Sequence, residues 1–190
     1  MRKTLWFIVA LIIVIALGVF VLMPYLEEQK TIKHYTFELD SSEGKVKLSD
    51  FQGKIPIIYF GYMYCPDICP TSLSVIASAL NQLPKDKAEH FQLIFISVDP
   101  NRDTPKALKE YAHYFYPSSI GLTGTEKYLK EISQNYGAYY AKEYDSNSTQ
   151  EYTVAHTSFI YIMDTKGKLV HKLSHTQNAK DVYTTLLEML

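Results

Sequence analysis

The sequence has only two cysteines among its 190 residues, Cys65 and Cys69. A framework of several disulfides and a metal or iron–sulfur site built from four thiolates are both excluded, because each needs more cysteines than the chain has. The two cysteines stand four positions apart, so we expect any chemistry they perform to involve them as a pair.

The chain also lacks an excess of charge of either sign. Its 20 acidic and 19 basic side chains give a formal net charge of −1 at pH 7. A general electrostatic attraction to DNA or RNA has no source in this composition, so nucleic acid is not expected as a partner. A hydrophobic content of 47% with 21% charged residues is that of an ordinary globular domain and excludes disorder.

No charged residue occurs between positions 5 and 23. A helix of that length roughly matches the ~30 Å hydrocarbon core of a bilayer. The apolar core of a secretory signal usually has only about 7–15 residues and ends at a small-x-small cleavage site, and this segment has neither property. We therefore expect one transmembrane helix that serves as an N-terminal membrane anchor in residues 1–26, followed by a polar linker over 27–33.

Two basic residues, Arg2 and Lys3, precede the apolar run. The positive-inside tendency keeps such a flank in the cytoplasm and directs the C-terminal remainder of the chain across the membrane. We therefore expect residues 34–190 to form one domain on the periplasmic side of the plasma (inner) membrane.

The remainder of the chain alternates strand and helix patterns. The patterns predict strands at 34–39, 45–48, 55–60, 91–98, 157–163 and 168–173, and helices at 71–83, 105–115, 125–136 and 178–190. An N-terminal β-hairpin, a right-handed strand–helix–strand unit, a closing hairpin and a last helix match a thioredoxin-like α/β fold. Its expected core is a central mixed sheet flanked by helices.

The loop over 61–70, with the sequence GYMYCPDICP, leaves a buried strand and enters a helix. Open α/β sheets place their sites at this end of the strands. Pro70 fits the first helical position, so we expect Cys69 near the N-cap, where free N–H groups lower a thiol pKa. Such a pair can oxidise to a disulfide or bind a soft metal ion, and three intervening residues suit both outcomes. A purely structural disulfide is the third alternative, although so short a loop gains little stability from one.

Three separated motifs carry a resemblance to a known family. They are YCPDICP at 64–70, SVDPNRDTP at 97–105 and YTVAH at 152–156. Together they resemble the Sco/SenC family of membrane-tethered copper-binding proteins, over residues 36–190. The resemblance implies a thioredoxin-like domain that binds one copper ion through two cysteines and a distant histidine. It also implies a role in assembling the dinuclear copper centre of subunit II of cytochrome c oxidase, with other copper donors or thiol–disulfide reductants as further partners.

Carried onto this sequence, the family pattern makes Cys65, Cys69 and His156 the metal ligands. Two thiolates and one imidazole form a soft set of three ligands, which suits copper, whereas structural zinc usually has about four protein ligands. The other histidines lack a second soft ligand beside them and are expected to be solvated or packed. They are His34, His90, His113, His171 and His175.

Other residues of the motifs have plainer expected roles. Asp103 or Thr104 is expected to cap the helix that begins near Pro105. Asp99 ends a strand and is expected at most to approach the metal loop. Asp67 lies between the cysteines, where it either accepts hydrogen bonds or faces solvent, and Met63 is expected to fill a gap in the packing.

The sequence departs from the family pattern at three positions. Many members have threonine and histidine where this chain has Met63 and Tyr64, and many have an acidic residue where Ala155 stands. These changes concern the surroundings of the expected ligands and leave the ligands themselves in place.

Two enzymatic alternatives use the same cysteines. A thiol–disulfide oxidoreductase would use Cys65 and Cys69 as a redox-active pair to reduce the cysteines of the oxidase subunit. A thiol peroxidase is disfavoured, because peroxiredoxins usually have threonine three positions before the reactive cysteine, where this chain has Pro66.

Overall fold

The computed structural model describes residues 2–31, 35–144 and 151–190, and within the first helix it describes the side chains of residues 6–7 and 11–23. The chain divides into two compact units, Met1–His34 and Tyr35–Leu190. The first unit is helix α1, Arg2–Thr31. Among the described residues, no helix is both long and apolar enough to cross a membrane. Residues 27–31 of the predicted linker belong to α1, and residues 32–33 and His34 lie outside the described part.

The second unit contains nine strands and five α-helices among its described residues. The strands are β1 (Glu38–Ser41), β2 (Gly44–Lys47), β3 (Ile55–Gly61), β4 (Phe91–Ser97), β5 (Ile120–Leu122), β6 (Tyr140–Glu143), β7 (Thr153–His156), β8 (Phe159–Met163) and β9 (Leu169–Ser174). The helices are α2 (Ile68–Gln82), α3 (Lys85–Ala88), α4 (Pro105–Phe115), α5 (Glu126–Asn135) and α6 (Ala179–Glu188), with a short 3-10 helix at Leu48–Phe51.

A mixed five-stranded sheet in the order β5-β4-β3-β8-β9 forms the centre of this unit. Strands β3, β4 and β5 are parallel, whereas β8 runs antiparallel to β3 and β9 antiparallel to β8. Every residue of β3 and β4 is buried, as expected for apolar strands covered on both faces. Helix α2 packs against α6, and α4 packs against β5. The predicted α/β fold with a central mixed sheet is confirmed.

Strands β6 and β7 form a separate two-stranded antiparallel sheet, in which Tyr140 pairs with His156. The sequence patterns did not predict either strand. They placed His156 immediately before a strand over 157–163, but that strand begins at Phe159, and His156 ends a strand of a different sheet.

The helix after the cysteine loop begins earlier than predicted. Its N-cap is Asp67, whose carbonyl oxygen accepts the N–H of Thr71 at 3.1 Å in the first helical hydrogen bond. Cys69 is therefore the second residue of α2 and Pro70 the third. Proline is tolerated there because the first N–H groups of a helix have no partner within it.

The cap of α4 is Thr104, whose hydroxyl oxygen accepts the N–H of Ala107 at 3.3 Å. Of the two expected cap residues, Thr104 is confirmed, and Asp103 is not the cap. Helix α5 was predicted to end at residue 136, and directly after that position Gly137 adopts a φ of 64°, a left-handed conformation that favours glycine and ends the helix.

Candidate metal centre

The two cysteines approach the end of β3 from the loop that leaves this strand. A Cβ atom added to Gly61, the last residue of β3, would lie 2.7 Å from the Cys69 sulfur and 2.9 Å from the Phe95 ring. Glycine at this position therefore leaves the space that the Cys69 thiol occupies. Cys69 is fully buried, whereas Cys65 is partly exposed, and both are free thiols.

Three donor atoms converge at this point. The sulfurs of Cys65 and Cys69 and a ring nitrogen of His156 lie within 4.8 Å of one another. The Cys69 sulfur is 3.2 Å from His156 Nε2, and the Cys69 N–H donates to the Cys65 sulfur at 3.5 Å. Among the described residues, this is the one cluster of three histidine, cysteine or acidic side chains that could hold a metal ion.

Aromatic rings and the main chain orient the imidazole of His156. The rings of Tyr59 and Tyr62 meet it edge to face, with centroid distances of 6.4 and 5.9 Å. The Thr157 carbonyl oxygen lies 3.3 Å from Nδ1, so a tautomer with the proton on Nδ1 donates to it. That tautomer leaves the lone pair of Nε2 directed at the cysteines, which is the form that binds a metal ion.

The pKa values of the two thiols shift in opposite directions. The thiol of Cys69 is placed to donate a hydrogen bond to the Cys65 sulfur, which lowers the pKa of Cys65 and raises the pKa of Cys69. Burial raises the pKa of Cys69 further. The expectation that the helix terminus lowers the pKa of Cys69 is therefore wrong, because hydrogen bonding and desolvation outweigh the positive helix end.

Asp99 and Asp103 lie beside this centre and are both fully buried. Asp99 pairs with Arg102 and accepts a hydrogen bond from the Tyr152 hydroxyl at 2.7 Å. Asp103 accepts the N–H of Met63 at 2.9 Å, and burial raises the pKa of Asp103. Neither carboxylate belongs to the cluster of converging donor atoms.

The remaining sequence candidates have the plainer roles. Asp67 is exposed, and its Oδ1 lies 3.4 Å from the Thr71 hydroxyl. The side chain of Met63 packs against the hydrophobic core, as predicted. None of the other histidines that the structure describes joins the cluster of Cys65, Cys69 and His156.

Several residues around the centre were missed by the sequence analysis. They are Tyr59, Gly61, Tyr62, Arg102 and Tyr152. Their roles depend on close packing or on contacts between segments far apart in sequence, which a local pattern does not reveal. For Arg102 and Tyr152 the sequence did give an indication, because Arg102 lies in the motif at 97–105 and Tyr152 in the motif at 152–156.

The SCO1/SenC family model matches residues 26–190. A SCO2-like protein of Rickettsia conorii is 41% identical over 133 residues, which cover 70% of this chain and 64% of that relative's length. The crystal structure of Arabidopsis thaliana ScoI with copper bound is 32% identical, with a TM-score of 0.75 over 81% of this chain and 95% of that one. Bradyrhizobium japonicum ScoI, also with copper bound, is 36% identical, with a TM-score of 0.71 over 82% and 98%. Because the family model covers the whole α/β unit and its cysteine–histidine cluster, this chain belongs to the SCO1/SenC family.

Proposed function

We propose that this chain is a copper metallochaperone in which Cys65, Cys69 and His156 bind one copper ion. The convergence of their three donor atoms within 4.8 Å is the observation that carries the proposal. Two sulfurs and one imidazole nitrogen are soft donors that suit copper. Three protein ligands also leave a coordination position open, unlike the closed four-ligand shell typical of structural zinc. Copper bound to relatives 32% and 36% identical supports the same metal.

The unequal burial of the ligands suits delivery by ligand exchange. Cys65 is partly exposed, whereas Cys69 is covered by the protein. A thiolate of the recipient would therefore enter the open position from the side of Cys65 and form a bond to copper before the bond to Cys65 breaks. The ion then passes between sulfur ligands without being released to water, and no electron is transferred.

We propose subunit II of cytochrome c oxidase as the recipient, with its dinuclear copper site as the destination. The support is the resemblance of the three motifs to the Sco/SenC family, which serves that assembly step. Copper donors and thiol–disulfide reductants are proposed as further partners, because the cysteine pair must be reduced before it accepts the ion.

A copper titration with a histidine variant tests the metal site. The reduced full-length chain in detergent is titrated with copper(I) against a chromogenic chelator. His156→Ala should weaken binding at least about tenfold, since it removes one of three ligands. His113→Ala removes an exposed histidine of α4 and should bind as the parent does. Equal binding by the parent and His156→Ala would contradict the proposed site.

We propose that residues 1–26 anchor the chain in the plasma (inner) membrane, with the Tyr35–Leu190 unit on the periplasmic side. The support is the uncharged run at 5–23 and the exposed large apolar side chains of α1, such as Trp6 and Phe20. Deletion of residues 5–23 should yield a soluble folded protein, while the full chain stays with the membrane fraction after a carbonate wash. An insoluble deletion variant, or release of the full chain by carbonate, would contradict the anchor.

Thiol–disulfide reduction is the second candidate function, and the adjacent free thiols of unequal exposure favour it. The Cys65 thiolate would attack a disulfide of the oxidase subunit, and Cys69 would then resolve the mixed disulfide. Two electrons pass to the client, and the Cys65–Cys69 disulfide is left behind. A His156→Ala variant that reduces a disulfide peptide at the parent rate, with copper binding unchanged, would favour this function over copper delivery.

A further inference from the structure

The turn over 99–103, which connects β4 to α4, is fixed firmly to the end of β4. The N–H groups of Arg102 and Asp103 both donate to the Asp99 carbonyl oxygen, at 3.2 and 3.0 Å. The Ser97 hydroxyl donates to Asp103 Oδ2 at 2.5 Å, and its oxygen accepts the N–H of Asp99 at 3.1 Å. Fully buried carboxylates are rare in proteins unless they are paired, so the partners of Asp99 and Asp103 indicate what the turn holds in place.

Asp103 connects the turn to the cysteine loop. Its Oδ2 atom accepts the N–H of Met63 at 2.9 Å, two residues before Cys65. The same oxygen accepts the Ser97 hydroxyl, so a single carboxylate joins the start of the loop to the last residue of β4. The loop that carries Cys65 is thereby held against the central sheet.

Asp99 and Arg102 connect the same turn to the strand that carries the histidine. The Tyr152 hydroxyl donates to Asp99 Oδ1 at 2.7 Å, and Arg102 Nη1 donates to the Tyr152 carbonyl oxygen at 3.0 Å. The guanidinium carbon of Arg102 also lies 3.9 Å from the centroid of the Tyr152 ring. Tyr152 directly precedes β7, which ends at His156. Both the main chain and the side chain at the start of that strand are therefore held by the turn.

Sheet pairing accounts for only part of how the ligands meet. Strand β8, which begins three residues after His156, pairs with β3, which leads to the cysteines. Among the described strands, β7 itself pairs with β6 in a separate two-stranded sheet, so the start of β7 is positioned by side-chain contacts such as those of the turn. Arg102 also lies 4.9 Å from the ring of Tyr64, next to Cys65, so it touches both ligand-bearing segments.

We propose that the 99–103 turn is a brace that sets the spacing of the metal ligands, with Asp103 holding the cysteine loop and Asp99 and Arg102 holding the histidine strand through Tyr152. The proposal rests on the proposed copper site. Asp99, Arg102, Asp103 and Tyr152 act on the metal through the ligands they position, and none of them binds it.

Tyr152→Phe tests the histidine side of the brace, because it removes the hydrogen bond to Asp99 and keeps the ring. Tyr136→Phe is the matched control, since it removes a buried tyrosine hydroxyl that donates to the Tyr35 carbonyl oxygen at 2.9 Å, outside the brace. In the full-length chain in detergent, Tyr152→Phe should weaken copper(I) binding about tenfold. It should also shift the thiolate-to-copper charge-transfer band of the copper(II) form and leave the alkylation rate of Cys65 in the metal-free protein unchanged. Tyr136→Phe should leave the affinity and the band unchanged.

Asp103 tests the cysteine side of the brace. Asp103→Ala should change both copper affinity and the alkylation rate of Cys65, and Asp103→Asn, which keeps an acceptor for the Met63 N–H, should recover most of both. If Asp103→Ala does not fold, the comparison of Tyr152→Phe with Tyr136→Phe is the test of the proposed brace.

The two proposals fail in different ways. Parent-like copper affinity and spectrum in Tyr152→Phe, while the parent still binds copper through His156, overturn the brace alone. Copper binding by the parent that does not depend on His156 overturns the proposed function, and the brace with it.

Discussion

Cys65 and Cys69 are four residues apart in sequence but lie in different environments. Cys69 is fully buried against the end of β3, and Cys65 is partly exposed in the loop. The hydrogen bond between them lowers the pKa of Cys65 and raises the pKa of Cys69, so we expect Cys65 to be the thiolate of the pair in the metal-free protein. We therefore expect one residue, Cys65, to be both the nucleophile and the first sulfur to meet an incoming ion.

We expect this difference to appear in alkylation of the reduced chain by iodoacetamide. An ordinary thiol, with a pKa of about 8.5, gains reactivity roughly a hundredfold between pH 6 and 8, because its thiolate fraction rises. The lowered pKa of Cys65 means that its thiolate is already formed at pH 6, so its rate should change less than about twofold over that range. Mass spectrometry should find Cys65 modified well before Cys69.

The Cys69→Ala variant is the control for that experiment. It removes the hydrogen bond that lowers the pKa of Cys65, so a rise in the Cys65 rate with pH should return. A Cys65 rate that climbs about tenfold per pH unit in the parent chain would contradict the assignment of the thiolate.

The motif residues show which features of the site the sequence predicted and which it did not. The resemblance selected Cys65, Cys69 and His156 from two cysteines and six histidines, and the structure brings these three side chains together. It did not reveal which thiol is covered, because that depends on side-chain packing at the end of β3, which only the folded unit shows. Asp103 was expected as a helix cap, and its bond to Met63 spans 40 positions that no local pattern connects.

At the scale of elements, the junction of β3 and α2 requires glycine at position 61, because any side chain there would collide with Cys69. We expect Gly61→Ala to destabilise the fold by about 1–3 kcal/mol, the usual cost of overpacking a core. Because the added methyl would lie 2.7 Å from the Cys69 sulfur, the same change should also weaken copper binding by displacing that ligand. Urea unfolding and copper competition measure the two effects.

Gly121→Ala separates displacement of the ligand from a general loss of stability. A Cβ atom at Gly121 would clash with the Leu108 backbone, so the variant should lose stability. Gly121 lies in β5, at the edge of the central sheet away from β3, so copper affinity should be retained wherever the variant folds. Equal losses of affinity in the two variants would show that Gly61 matters for stability only.

Elements with strong local patterns were predicted, whereas three short strands, β5, β6 and β7, were not. Strands β3 and β4 are continuous apolar runs, and α4 and α5 have recognisable ends at Thr104 and Gly137. Strand β5 has three residues, too few to show a period. Strands β6 and β7 have four residues each, and residues 144–152 lie between them in the sequence, so neither a long apolar run nor a tight-turn signal marks them. The strand that carries His156 was therefore the part of the site least accessible from sequence.

At the scale of the whole molecule, the fold brings the third ligand, His156, to the cysteine pair. In an unfolded chain Cys65 and Cys69 remain neighbours and can still bind copper, but His156 is 87 positions from Cys69 and is held near it only by the folded unit. The part of copper affinity that depends on His156 is therefore coupled to folding, and that part alone stabilises the native state.

Thermal unfolding of the reduced chain measures this coupling. A ligand that binds only the folded state adds about 2.7 kcal/mol when its free concentration is 100 times its Kd. For a unit of this size, 1 kcal/mol shifts the Tm by about 2–4 °C, so copper(I) should raise the Tm by up to about 5–11 °C. Since the unfolded cysteine pair also binds copper, the observed rise should fall below that limit, and His156→Ala should remove most of it. A parent chain whose Tm does not respond to copper, or a variant whose response equals the parent's, would mean that the ion is held by the local cysteine pair and gains nothing from the fold.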